Sequence, residues 1–446
     1  MVEGHPKRFV AAAVAGVAYT QCYFLRKLVS SSTVYLRESA GFPETVIGAI
    51  TSAFALAYGL SRVPGGLITD KLGARTTLAA SLFISAALTI AVTCIANANI
   101  FYILWFLHGM CQASAWPACA RLLKDLFPDR ERAFWWAAVS TSQNVGAALT
   151  PILVAHIYTW FQERNAQFPL PIFPHAEADA TWRFPFLVLA LLCLPVVILA
   201  YALVPSYTVP REPAQNKATA SKHKGADKPT PSWWNGISQL PSAIFLITIA
   251  NMLIYAVRDI IGNWLLLIFH ETRGFDPARG ASVLALFEIG GITGGLLAGI
   301  ASDKVFGGRR GPIFGICSFG LLLSCTAVSF AHSYAAICAV FFSLGLFLFG
   351  PQTLVGLFAM ETAPPHLDSF AAGIVGLCAQ LGGITAGYPV SLLKTACGWD
   401  CVLLAMPVIA LLCFAASVPL WHVKPYGAQP KSSKRSQKKK KKKKVL

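Results

Sequence analysis

Tyr23-Phe24-Leu25-Arg26 lies inside a long apolar stretch, and Tyr255-Ala256-Val257-Arg258 lies inside another, its arginine 232 residues further on. A guanidinium placed centrally in a membrane-spanning helix costs roughly 2.5–3.5 kcal/mol on insertion scales, so it faces protein or water rather than lipid. Two such groups brought together would suit an anion, and a phosphoryl group above all. Each planar fork grips oxygens bidentately and cannot be discharged by losing a proton. Tyr19 and Tyr23, seven and three residues before Arg26, share its helical face, and Tyr255 stands three before Arg258. Their hydroxyls can donate further hydrogen bonds, or their rings can stack on a sugar. Lys27 adds a cation. On the next apolar stretch Tyr58 and Arg62 stand four apart and can reach the same space, although Arg62 is equally suited to anchoring its helix at the interface.

A second pair keeps the same offset. Gly66-Leu67-Ile68-Thr69-Asp70-Lys71 recurs as Gly299-Ile300-Ala301-Ser302-Asp303-Lys304, 233 residues later. The chain therefore reads as a duplicated membrane bundle. Of its 446 residues 55% are hydrophobic and 13% charged, with mean hydropathy +0.57, whereas soluble domains run near a quarter charged. About 20 apolar residues cross a hydrocarbon layer of roughly 30 Å. Twelve such spans are expected, near Phe9–Val34, Thr45–Ile68, Thr77–Ala96, Phe101–Leu123, Phe134–Trp160 and Phe184–Val204, then Ile237–Phe269, Ala281–Ile300, Ile313–Ala331, Tyr334–Met360, Phe370–Leu393 and Val402–Trp421. The expected organisation is a six-helix bundle over 1–204, a flexible polar linker over 205–236, a second six-helix bundle over 237–421 and a basic tail over 422–446. Met1–Arg8 is short and polar with no cleavable signal pattern, so the first span is expected to stay.

A net charge of +17 would point to nucleic acid in a soluble protein, but the residues from Trp421 onward hold ten lysines and one arginine, which leaves +6 for the rest. That remainder lies mostly on one side of the expected spans, at Lys71, Arg75, Arg121, Lys124, Arg130, Arg132, Lys304, Arg309 and Arg310. By the positive-inside rule both termini and the linker are cytoplasmic, and no nucleic-acid partner is expected. The twelve cysteines are scattered singly and read as small hydrophobes, Cys397 and Cys401 being the pair spaced to bridge in an oxidising compartment. No paired carboxylates, nucleophile–base set or metal cluster stands out, and His108, His156 and His270 look isolated. The expectation is no enzyme, no metal and no cofactor.

The Gly66–Arg75 run, with its second copy continuing to Arg309-Arg310, resembles the loop signature of the major facilitator superfamily. In that reading glycine permits close helix approach and the aspartate caps a helix end or pairs with a basic residue of the facing loop. The resemblance assigns Gly66, Asp70, Arg75, Gly299, Asp303 and Arg309 to a conformational latch. It narrows to the organophosphate:phosphate antiporters on Tyr23-x-x-Arg26-Lys27, Ala57-Tyr58-Gly59-Leu60-Ser61-Arg62, Trp116-Pro117, Ser142-Gln143-Asn144-Val145-Gly146, Asp303-Lys304-Val305-Phe306 and Glu361-Thr362-Ala363-Pro364. Trp135-Trp136, Ser140-Thr141-Ser142 and Ala363-Pro364-Pro365 look most like the glucose-6-phosphate translocases of the endoplasmic reticulum.

The resemblance implies two pseudo-symmetric six-helix bundles that rock about a central site. There Arg26 and Arg258 would hold phosphate, with Lys27, Tyr19, Tyr23, Tyr58, Arg62, Tyr255 and Gln143 around them. It implies exchange of a sugar phosphate, glucose 6-phosphate or a related organophosphate, for inorganic phosphate. The chain departs from the pattern in places. Bacterial glycerol-phosphate carriers have histidine at the Gln143 position, the family's aspartate before Trp264 is Asn263 here, and the endoplasmic-reticulum members carry lysine at the Arg258 position. Charge balance then falls to Asp259 and to Glu288, which matches a family acid that pairs with Lys27. Finally, Lys438–Lys444 precede Val445-Leu446, so Lys443 and Lys444 resemble a dilysine signal read by a retrieval-coat receptor, in a tail also suited to anionic membrane lipid. The location this implies is the endoplasmic-reticulum membrane.

Overall fold

The computed structural model describes residues 7–95, 97–165, 180–206, 237–364, 367–424 and 426, so most of the expected linker and the lysine run with Lys443 and Lys444 lie outside the described residues. The first half is built from α1 (Lys7–Ser31), α2 (Thr33–Glu38), α3 (Glu44–Leu72), α4 (Ala74–Thr93), α5 (Ala98–Gln112), α6 (Ala115–Leu126), α7 (Asp129–Asn165) and α8 (Arg183–Leu203). The second half holds α9 (Ser242–Arg273), α10 (Pro277–Lys304), α11 (Arg310–Ala327), α12 (Tyr334–Thr362), α13 (Asp368–Thr385) and α14 (Tyr388–Ser417).

Each expected span coincides with a helix or a broken helix. The first is α1 and α2, interrupted at Ser32, and the fourth is α5 and α6, interrupted at Ala113-Ser114. Among the described residues nine stretches are long and apolar enough to cross a membrane. The difference from twelve has three causes: α5 and α6 are each too short alone, the uncharged middle of α7 is diluted by polar residues such as Ser140, Gln143 and Asn144, and Phe370–His422 is two passes counted together. Within that last stretch the chain turns at Gly398, whose φ of 78° falls in the left-handed region that glycine enters without strain. Helix starts follow local chemistry as well. Asp276 caps α10 by accepting from the Arg279 amide at 2.9 Å, with Pro277 in the first turn.

The duplication is visible in the packing. α1 packs on α7, α3 on α5 and α4 on α8; their counterparts α9 on α13, α10 on α12 and α11 on α14 repeat the pattern. The halves meet twice in the same way, α7 against α10 and α13 against α3, as a two-fold relation requires. The outer faces are apolar, as with Leu191, Leu192, Ile198 and Leu199 on α8. Such a surface would aggregate in water and matches a bilayer.

Bonds between the halves concentrate at the end where α1 and α9 finish. Glu38 meets His270 at 2.7 Å, and Glu44 takes Lys394 and, at 3.0 Å, Arg37. Lys394 also lies 3.4 Å from Glu271, which accepts from the Trp399 indole at 2.7 Å. His270 is therefore not isolated, contrary to expectation, and Lys394 is a cross-half tie rather than a scattered charge. Just inside this network Ser52 donates to the Ile384 carbonyl and accepts from the Tyr388 amide, both at 2.8 Å. Ser52→Ala would orphan that amide, and a loss of about 1 kcal/mol in stability is expected by thermal melting.

Candidate functional site

Between the halves lies a cavity of about 250 Å³. Its wall includes Tyr19, Tyr23, Arg26 and Lys27 from α1, Tyr58 and Arg62 from α3, Gln143 from α7, and Tyr255, Arg258 and Asp259 from α9. The residues named from sequence as substrate-contacting are thus brought together. Close packing seats the two arginine helices. A Cβ added at Gly146 of α7 would meet Tyr23 Cβ at 2.5 Å and the Thr20 carbonyl at 2.8 Å. On the other side a Cβ at Gly382 of α13 would meet the Met252 carbonyl at 2.1 Å and Tyr255 Cβ at 3.1 Å. Each tyrosine–arginine pair therefore rides on a helix drawn in by a glycine of its neighbour.

Arg26 is tied down. Its Nε donates to Gln112 Oε1 at 3.0 Å and its Nη1 to the Tyr23 hydroxyl at 3.2 Å, while Tyr23 donates onward to Gln143 Oε1 at 3.1 Å. The guanidinium lies over the Tyr58 ring at 4.4 Å and the Tyr23 ring at 4.6 Å. Nη2 is buried with no partner, a donor that an anion oxygen would satisfy. Among the described residues the guanidinium of Arg258 makes no hydrogen bond or ion pair within 4.0 Å; it lies 5.4 Å from the Tyr255 ring and 5.3 Å from the Phe349 ring, and its buried Nε has no acceptor. Among the described residues no carboxylate lies within 4.0 Å of Arg26, Lys27 or Arg258. Four cations and one carboxylate, Asp259, line the space. So unbalanced a set of charges favours an anionic guest.

Glu288 sits outside this lining and is buried, accepting from Asn144 Nδ2 of the other half at 2.9 Å. The expected pair with Lys27 is not formed: the Lys27 ammonium lies against the backbone of α9 at Gly262, 2.8 Å from where a Cβ there would sit. Arg62 reaches across the halves to the Gly376 carbonyl at 3.3 Å, which puts its guanidinium in the cavity wall and not at the lipid interface.

The latch residues depart from expectation in three places. Asp70 accepts from Arg121 at 2.7 Å, while Arg75 stacks over Tyr201 at 4.8 Å. In the second copy Asp303 pairs at 2.6 Å with Arg310, not Arg309, and Arg310 also reaches Glu361 at 3.3 Å; Arg309 donates to the Trp421 carbonyl at 2.9 Å. Gly66 and Gly299 stand in open space, since a Cβ at either meets nothing within 4 Å, and the close approach falls instead at Gly65, where an added Cβ would stand 3.0 Å from the Ser114 backbone. The twelve cysteines, Cys397 and Cys401 included, are free thiols.

Neutral residues of the site escaped sequence reasoning. Ser30 donates to Asn263 at 2.9 Å across the halves, and Gln352, Thr353, Gln380 and Ser140 line the cavity. Uncharged amides inside otherwise apolar helices are the one signal that could have marked them.

A family model described as Major Facilitator Superfamily matches residues 15–387. The chain is 28% identical to a "Probable hexose phosphate transport protein" of Chlamydia muridarum over 91% of its own length and 89% of the relative's. It is 30% identical to a "Membrane sensor protein UhpC" of Salmonella typhimurium over 84% and 83%, and 26% identical to a "Glycerol-3-phosphate transporter" of Bacillus subtilis over 82% and 81%. Among solved structures, a bacterial homologue of the lysosomal transporter Spinster superimposes with TM-score 0.73 at 13% identity, over 94% of this chain and 98% of that one, a likeness of fold.

Proposed function

Since the chain belongs to the Major Facilitator Superfamily, we propose that it is a secondary transporter exchanging a sugar phosphate, glucose 6-phosphate in the first instance, for inorganic phosphate. The observation that carries this reading is the pair of carboxylate-free guanidiniums, one from each half, on a shared cavity wall. An empty cleft lined by four cations and one carboxylate carries excess positive charge, which opposes closure around it. A phosphate dianion offsets them, so the halves close over either phosphorylated substrate and poorly over none; obligatory exchange follows. The names of the hexose-phosphate and glycerol-phosphate relatives support an organophosphate cargo.

In this reading the basic end of the bundle, both termini and the linker face the cytosol. The dilysine at Lys443 and Lys444 then meets its retrieval-coat receptor and keeps the protein in the endoplasmic-reticulum membrane. The name of the Salmonella relative favours a second reading, a sensor that binds sugar phosphate without moving it.

The experiment is uptake of labelled phosphate into proteoliposomes preloaded with phosphate, competed by glucose 6-phosphate, glycerol 3-phosphate and phosphoenolpyruvate. Saturable counterflow is expected, with glucose 6-phosphate competing about tenfold better than the three-carbon compounds, the worth of roughly 1.4 kcal/mol of added hydrogen bonding. Binding with no counterflow would establish the sensor instead.

A further inference from the structure

Resting on that reading, we infer that Gln112 is the positioning residue that makes Arg26 the fixed phosphate anchor, with Arg258 as the arm that engages it. Gln112 is fully buried at the end of α5, behind the cavity wall and outside the lining. Its amide has only one workable orientation. Arg26 Nε can only donate, so the atom it meets at 3.0 Å is the oxygen, Oε1. The Nε2 hydrogens then go to the Cys22 carbonyl at 2.9 Å and to His108 Nε2 at 3.0 Å. His108 must therefore accept at Nε2 and carry its proton on Nδ1, which is buried without a partner. The ring is held in turn against Trp105, with centroids 4.6 Å apart, and against Phe54 at 5.6 Å.

This chain of contacts uses the Nε edge of Arg26 and one terminal nitrogen, and leaves Nη2 as the unbonded donor. Among the described residues Arg258 has no counterpart to it and donates to no side chain. The duplicated helices thus carry arginines of unequal freedom, one preorganised before the substrate arrives and one able to swing. Preorganisation lowers the cost of ordering on binding, so its loss appears as weaker binding of anything carrying the phosphoryl group.

The test is Gln112→Met, which keeps length but removes both polar ends, assayed with inorganic phosphate and with glucose 6-phosphate in reconstituted full-length protein. Half-saturation is expected to rise about tenfold by the same factor for both substrates, more than the maximal rate falls. Gln112→Glu, isosteric and kept as the second variant should the first not fold, leaves an acceptor for Arg26 but adds a competing carboxylate. It is expected to weaken both substrates further, about 100-fold. Unchanged half-saturation in either folded variant, a fall confined to the maximal rate, or an effect on glucose 6-phosphate alone would overturn the assignment. Failure of the unmutated protein to exchange phosphate would overturn the transporter reading and this inference with it, whereas exchange with indifferent variants overturns the inference alone.

Discussion

Arg26→Ala is expected to abolish phosphate counterflow, and Arg26→Lys to do nearly as much damage, while Arg258→Lys stays within about tenfold of the unmutated protein. Two charge-assisted hydrogen bonds to phosphate are worth roughly 1.5–3 kcal/mol each, so losing a bidentate contact costs at least about 100-fold. Arg258→Ala falls in that class as well. The asymmetry of the lysine variants comes from what each guanidinium does besides meeting substrate. Arg26 spends Nε on Gln112 and Nη1 on Tyr23, and an ammonium on a flexible stem has neither the fork nor the planarity to keep both. Among the described residues Arg258 makes no side-chain hydrogen bond, so a lysine there keeps the charge and one hydrogen bond to the substrate and gives up only the second, about tenfold. The measurement is initial exchange rate per folded transporter. Near-normal exchange by Arg26→Ala in protein of normal yield would remove the arginine pair from the proposed mechanism.

The arginines were legible because they violate the pattern around them. A permanent charge amid apolar residues, repeated 232 positions later with a tyrosine at the same spacing, marks both the site and the duplication. Helix positions were legible for a related reason, since apolar length measures a bilayer directly. Gln112 left no such mark. It lies 86 residues from Arg26, is neutral, and a buried amide in a helix raises no hydropathy alarm. The ionic closure around Glu44 was hidden by separation, 350 residues from Lys394, and by the habit of charges near span ends to sit in solvent. Arg309 and Arg310 adjoin in the sequence, and which of them meets Asp303 depends on where α11 begins: Arg310 is its first residue, while Arg309 precedes it in extended backbone and turns to the Trp421 carbonyl.

Packing supplies the other large effect, at positions where sequence offered a motif but not its purpose. Gly146→Val and Gly382→Val are each expected to cost several kcal/mol and most of the exchange activity. The added Cβ alone would stand 2.5 Å from Tyr23 Cβ in the first case and 2.1 Å from the Met252 carbonyl in the second. Real side chains do not accept such distances, so α1 must move off α7, or α9 off α13. Either shift carries with it the tyrosine and arginine that face the cavity. No obstacle at either site can rotate away, and the approach is closer at Gly382, so Gly382→Val should be the more severe of the two. Gly66→Ala and Gly299→Ala serve as controls. They sit in the repeated loop motif, yet a Cβ at either meets open space, and changes within about 0.5 kcal/mol are expected by detergent-solubilised thermal melting. Equal melting loss at all four sites would refute the close-approach account. Normal melting with lost phosphate exchange at Gly66 or Gly299 would instead place the demand for glycine there in a different arrangement of the two halves, one in which α3 and α10 come closer to their neighbours at the basic end.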